Sequence, residues 1–445
     1  MPIPGVEARK GYLDLTTGAP GEDGLLTLGG EWEFYWQELL QPEDFTENTR
    51  LPGYIHLPAP WQGKSWGNMK LPPLGYATFR LRIQFNKEMD SLGLYIPNMD
   101  NAYSLWFNGS LISTNGKVGT NREEMRPQRL PRVCFVSVDG SEAEIIVQVS
   151  NYHHRNGGMT NGISIGSQQK INSFHDRGIA WEMFLFGSLF ITGIYHLILS
   201  FTRKKENSSL FFGFFCIVIG IRILASGNYL LIYAFPALNW ELGVKIEYLT
   251  FFGSLPLFSL YLFELFKSYF HKSILWIIHF VSLIFILFVL ATPAIIYSQL
   301  ALIPFQLFAI LSCFYFIFIL VKASVSASKE ALFVLGGFLF IFLTAFVDIL
   351  SSHSILTIQP LVPLGACIFI FSQSLLLSIK FARTYHELDY LSKNLENQVQ
   401  SRTRELQQAK EEIEESHNEK MNFFVNLSHE IRTSGSCLAQ SGSPQ

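Results

Sequence analysis

The stretch Ile274–Thr292 reads ILWIIHFVSLIFILFVLAT, and its reading decides the fold. It holds nineteen residues and no Asp, Glu, Lys or Arg. A helix of that length crosses the roughly 30 Å of hydrocarbon in a bilayer. Six comparable apolar stretches surround it, at Ala180–Phe201, Ser209–Tyr233, Lys245–Phe266, Gln299–Val321, Ala331–Ser351 and Pro360–Lys380. Residues 180–380 therefore read as a seven-helix transmembrane bundle. Pro256, Pro293 and Pro304 fall inside or at the ends of these helices, where neighbouring groups can satisfy the freed backbone.

The average composition hides this segment. Only 16% of the 445 residues are charged, against about 25% in ordinary soluble proteins. The net charge of −3 excludes a strongly basic nucleic-acid binder. Cys134, Cys216, Cys313, Cys367 and Cys437 have no paired spacing, which excludes a disulfide framework and a zinc module, and no metal site is expected.

Lys and Arg near helix ends mark the cytoplasmic side of a membrane. The joints after the first, third, fifth and seventh stretches carry Arg203-Lys204-Lys205, Lys267 with Lys272, Lys322 with Lys329, and Lys380 with Arg383. The alternate joints, Ala234–Gly243, Pro293–Ser298 and Ser352–Gln359, carry neither residue. The N-terminal region is therefore expected outside the cell, and everything after Lys380 in the cytoplasm. Met1-Pro2-Ile3-Pro4-Gly5 has neither a charged nor an apolar leader region, so a signal sequence removed or lying upstream is expected.

Residues 1–178 are β-rich. Alternating runs such as ATFRLRI (Ala77–Ile83), YSLWF (Tyr103–Phe107) and EIIVQVS (Glu144–Ser150) are separated by turn signals at Asn108-Gly109, Asn115-Gly116 and Asp139-Gly140. Short strands without intervening helical periods predict an antiparallel sandwich or jelly roll.

Inside the apolar stretches the few ionisable residues stand out. Arg222 falls near the middle of the second stretch, Glu247 and Asp348 in the outer parts of the third and sixth. A charge tie between Arg222 and Glu247 or Asp348 is predicted. His196 and His279 read as packed polar residues.

Beyond Phe381 about a third of the residues are charged. Leu388, Leu391, Leu395, Val399, Arg402, Leu406, Ala409 and Ile413 follow spacings of 3 and 4 with one stutter, the seam of a parallel coiled coil over 381–421 and hence of a homodimer. The seam runs into NFFVNLSHEIRT (Asn422–Thr433). Here the chain resembles the phosphoacceptor helix of sensor histidine kinases, F-x-x-x-x-S-H-E-I-R-T-P. The resemblance implies that His429 accepts phosphate and that Glu430 is its acid-base partner. A neutral imidazole has a free lone pair with which to attack the γ-phosphorus of ATP, and an adjacent carboxylate can hold or take the proton on the other ring nitrogen.

Residues 434–445, SGSCLAQSGSPQ, depart from the family pattern and show no helical pattern. The ATP-binding domain of such kinases, which uses ATP and Mg²⁺, is expected to be missing. The chain alone is then expected to bind no cofactor and to be inactive.

Taken in order, residues 9–433 resemble bacterial seven-transmembrane receptors with diverse intracellular signalling modules, whose outer domain is a galactose-binding-like jelly roll. The resembling segments include Leu28–Trp36, Gly75–Arg80, Phe107-Asn108-Gly109 and Val149–Gly158. The resemblance implies a multi-pass protein of the bacterial cytoplasmic membrane with a response regulator as partner, in contact with membrane lipid and with no nucleic acid. A carbohydrate or other small extracellular ligand would need aromatic faces and a few polar groups. Trp61, Trp66, Trp106, His153, His154 and Arg155 could supply them. The competing reading makes Trp32, Trp36 and Trp106 core residues and Asn108-Gly109 a plain hairpin turn. Glu31, Glu33 and Asp100 form no recognisable glycosidase pair, so binding without hydrolysis is expected.

The expected function is the input half of a two-component sensor. The alternatives are a non-enzymatic receptor that dimerises with an intact kinase, and a transporter, against which the lack of an internal repeat argues.

Overall fold

Alternation along the first third of the chain produces strands whose every second side chain is buried. In Gly75–Phe85 the buried series is Ala77, Phe79, Leu81, Ile83 and Phe85, the period of two that a pleated strand imposes. The computed structural model describes residues 6–16, 24–45, 51–86, 89–202, 207–325, 329–352 and 361–440. Met1–Gly5, Arg203-Lys204-Lys205 and nearly all of the joint 352–359 lie outside the described residues. The chain divides into two compact units, Met1–Gln373 and Ser374–Gln445.

The first unit opens with β1 (Tyr12–Leu15), β2 (Leu26–Thr27), β3 (Gly30–Trp36), β4 (Gly53–Leu57), β5 (Ser65–Trp66), β6 (Met69–Lys70) and β7 (Gly75–Phe85). It continues with β8 (Met89–Ile96), β9 (Ala102–Phe107), β10 (Ser110–Asn115), β11 (Arg132–Val138), β12 (Glu142–Asn151) and β13 (Ser164–Ser167). Seven strands form one sheet in the order β10-β9-β12-β7-β3-β4, with β1 parallel to β7; a second sheet runs β11-β8-β13-β2, and β5 pairs with β6. Trp32, Phe34, Phe79, Leu81 and Leu105 of the larger sheet share one core with Leu92, Leu94, Ile96 and Ile165 of the smaller. Each such side chain contributes about 1.5–3 kcal/mol by leaving water. This is the sandwich that the alternation predicts.

The helices follow: α1 (Gln168–Thr202), α2 (Ser208–Ala225), α3 (Leu230–Ala234), α4 (Trp240–Leu265), α5 (Lys272–Ala291), α6 (Ala294–Leu300), α7 (Leu302–Val325), α8 (Lys329–Ser352) and α9 (Val362–Gln440). Among the described residues six are long and apolar enough to cross a membrane, namely α1, α2, α4, α5, α7 and α8. The apolar start of α9, Val362–Leu376, is shorter than the seventh stretch expected.

Three boundaries differ from expectation. α1 begins at Gln168, directly after β13, because its first turns pack on the sandwich: Ile171 is fully buried, and the Phe174 ring lies 5.2 Å from that of Tyr95. Such an amphipathic start carries no long apolar signal. The second stretch, predicted to reach Tyr233, stops at Ala225, since Gly227 and Tyr229 adopt left-handed backbone at φ +64° and +56°. The Glu182 carboxylate bonds both the backbone N–H and the side-chain amide of Asn228 there, and a Cβ on Gly227 would lie 2.2 Å from it. Finally, α9 runs to Gln440, past the end of the helical sequence pattern at Thr433.

Candidate functional site

A buried charge cluster of the first unit lies where the sandwich meets the bundle. Two loops of the sandwich, residues 97–101 after β8 and residues 126–131 before β11, turn toward the α2–α4 end of the helices. Arg129 is buried at 4% exposure and is held on three sides. Its Nε donates to Asp100 Oδ1 at 2.6 Å, its Nη1 pairs with Glu247 Oε2 at 2.8 Å, and its Nη2 donates to the Tyr229 hydroxyl at 3.2 Å. The guanidinium carbon stands 4.5 Å from the centre of the Tyr229 ring. Asp100 and Arg129 come from the sandwich, Tyr229 from the turn before α3 and Glu247 from α4, so one cation clasps both parts.

Burying a guanidinium is costly unless its charge and N–H groups are met. Here two carboxylates and an aromatic face meet the charge, and they hold Arg129 charged against that cost. Burial would push the Asp100 carboxyl up. Arg129, His154 and the amide of Asn98 outweigh it and hold the carboxyl at about 2. Beside it, His154 is lowered to about 4, chiefly by burial.

Arg222 and Glu247 do meet, though not as a charge pair. Arg222 Nη1 donates to the backbone carbonyl of Glu247 at 2.8 Å, and its guanidinium lies over Phe251 at 4.9 Å. The Glu247 carboxylate is taken by Arg129. Asp348 is engaged elsewhere: its two oxygens accept from the N–H groups of Leu361 and Val362, at 2.7 and 2.9 Å. It thereby caps the start of α9, where unpaired N–H groups favour an anion. His196 packs edge-on against Phe212, and His279 bonds the Leu275 carbonyl within its own helix.

The residues proposed for ligand contact fall into two groups that are not brought together. Trp61 is fully buried between Trp36 and Phe79, with Gly157 against its ring, so it offers no face to a sugar. Trp66 packs edge-on to Phe34 and closes over Gly53, where a Cβ would meet its ring at 1.9 Å. Trp106 is half-buried on β9. The second group faces the bundle: His154 lies in the clasp, His153 packs against Trp240 of α4, and Arg155 is half-buried beside them.

In the second unit His429 and Glu430 are exposed on α9, and the Thr433 hydroxyl donates to the His429 carbonyl at 2.5 Å. Leu388, Leu391, Leu395, Val399, Leu406 and Ile413 are exposed along the same helix.

Sequence reasoning missed Arg129, Tyr229 and Glu182. Arg129 sits in an ordinary polar loop, and nothing in its neighbours signals burial. Glu247 alone was conspicuous, as an acid within an apolar stretch.

Residues 179–380 match the family described as 7TM diverse intracellular signalling. No curated protein matches the chain. Among solved structures, a β-glucuronidase of Ruminococcus gnavus is similar at 12% identity and a TM-score of 0.23, over 32% of this chain and 28% of that one. A GH2 β-galacturonidase from Eisenbergiella tayi, bound to galacturonate, is similar at 11% identity and a TM-score of 0.23, over 34% and 26%. The chain spans less than a third of the length of either enzyme, and nothing about its activity follows from them. With the six long apolar helices and this match together, the protein is a multi-pass membrane protein whose residues 179–380 are similar to the 7TM diverse intracellular signalling family.

Proposed function

We propose that the chain is the sensing input half of a two-component histidine kinase in a bacterial cytoplasmic membrane. The sandwich, galactose-binding-like, lies outside and receives a carbohydrate or other small ligand. The bundle carries the change across the membrane, and the C-terminal helix presents His429 to an ATP- and Mg²⁺-using kinase domain, with Glu430 as acid-base partner. A response regulator then takes the phosphate.

One observation carries this reading: Val362–Gln440 is a single helix that holds both the last apolar segment and Ser428–Thr433. An uninterrupted helix has no joint at which a shift near one end would be lost before the motif. The apolar residues exposed at 3- and 4-residue spacing along it need a partner, and a second copy supplies one in register. The input path leads along α4, which bears Glu247 near its start and, about 21 Å further on, Tyr261. The Tyr261 hydroxyl bonds Gln373 of α9 at 2.5 Å.

The test uses the full chain in lipid nanodiscs with ATP, Mg²⁺ and an isolated histidine-kinase catalytic domain. Acid-labile phosphate on His429, absent from His429→Gln, is the expected result. No phosphate, or phosphate that survives His429→Gln, would overturn the reading and favour a non-enzymatic docking partner.

A further inference from the structure

Buried polar atoms without partners are scarce in folded proteins, and each calls for a hydrogen-bonding group. Five of those found among the described residues lie near one another at the seam where the sandwich meets α4 and α6. Arg155 Nε, His153 Nε2, Trp240 Nε1, Glu241 Oε1 and the Tyr297 hydroxyl are shut away from solvent and meet no hydrogen-bond partner among the described residues. The first two come from the loop after β12, the next two from the first turn of α4, and the last from α6. His153 and Trp240 are in ring contact at 5.9 Å, and the ring of Tyr297 lies 5.0 Å from that of Tyr248. Arg155 is within electrostatic reach of Tyr248, and Glu241 of Tyr297, which puts the five groups in one neighbourhood. Tyr297 is fully buried, while the other four residues are half-buried and border solvent.

The chemistry of the seam is lopsided. Guanidinium and indole N–H groups can only donate, and Glu241 is the one carboxylate oxygen among the five. Arg122 and Arg126 also act on His153 and Lys245 on Glu241, while the carboxylate of Glu247 acts on Tyr248 and Tyr297. An anion with planar oxygens satisfies the guanidinium and indole, and a hydroxyl or ammonium on the same molecule satisfies Glu241. We propose that this seam binds a small hydrophilic carboxylate bearing a hydroxyl or ammonium group. Such a ligand would touch the sandwich and the bundle at once. The proposal names the ligand class for the receptor reading above and rests on that reading for its signalling consequence, not for the binding itself.

Binding is tested on the full chain in phosphatidylcholine nanodiscs by thermal unfolding with glycolate, acetate and ethylene glycol. Glycolate at saturating concentration is expected to raise the midpoint by about 3 °C, acetate by less, and ethylene glycol not at all. Arg155→Gln should abolish both carboxylate effects, and Glu241→Gln should reduce glycolate to the level of acetate. Trp240→Phe keeps an aromatic ring on the His153 side while removing the indole N–H along with part of the ring system. It should cut the glycolate effect at least to about a third and serves as the deciding variant if Arg155→Gln does not fold. No shift with either carboxylate, or a shift undiminished in Arg155→Gln or Trp240→Phe, would overturn the proposal. None of these outcomes depends on His429, so failure here is distinct from failure of the kinase reading.

Discussion

At the scale of single residues, Arg129 decides how the sandwich is held to the bundle. Its removal leaves Asp100 and Glu247 facing each other in a partly dry site, a loss of about 3 kcal/mol or more for a buried pair broken on one side. Arg129→Gln should therefore lower the thermal midpoint in detergent by several degrees, and adding Asp100→Asn should restore part of it. A midpoint unchanged in Arg129→Gln would show that the clasp contributes nothing. The same site sets a pH dependence. The neutral His154 of the folded protein binds its proton only at about 4, against an ordinary value of 6.5, so the unfolded chain holds more protons between those limits. The stabilisation is complete above pH 6.5, amounts to about 3 kcal/mol, and is lost as pH falls through 4. Asp100 adds a stabilisation that is complete above 3.8 and gone below about 2, so its loss at lower pH has the same sign. Midpoints measured from pH 7 to 4 should fall, and His154→Gln should flatten the upper part of the curve. These residues were the least legible in the sequence. Asp100, Arg129, Tyr229 and Glu247 belong to four separate segments, and no spacing rule connects a sandwich loop to a helix that it meets only after folding.

The elements were far easier to read, because they rest on periodicity. β7 shows its burial in the alternation of ATFRLRI, and α5 declares itself by composition alone. Errors arose where an element's reason for existing lay outside it. The start of α1 depends on Tyr95, and the break after α2 depends on Glu182 holding Asn228. α9 carries the prediction that belongs to this scale. Inserting one residue between Lys380 and Leu388 turns everything downstream by about 100°, while seven residues restore the face. Phosphorylation of His429 in a version bearing a kinase domain should vary with the length of the insertion and recover near seven. A flat response across one to seven inserted residues would rule out transmission through the phase of this helix.

For the whole molecule, the seam of exposed leucines predicts the assembly. Light scattering in detergent should find two copies per particle, and Leu391→Asp with Leu395→Asp should give one. A monomeric wild-type protein at micromolar concentration would remove the basis for a paired helix. The sandwich, the bundle and the charged C-terminal helix were legible from composition, since each meets a different solvent, but their joints were not. The most consequential joint is the one between Ser167 and Gln168, where a strand of the smaller sheet becomes the first membrane helix without an intervening residue. A flexible tether at this point would let the sandwich swivel freely against α1. A strand fused to a helix has no such swivel: a turn of the smaller sheet at β13 is a turn of the shaft that α1 begins.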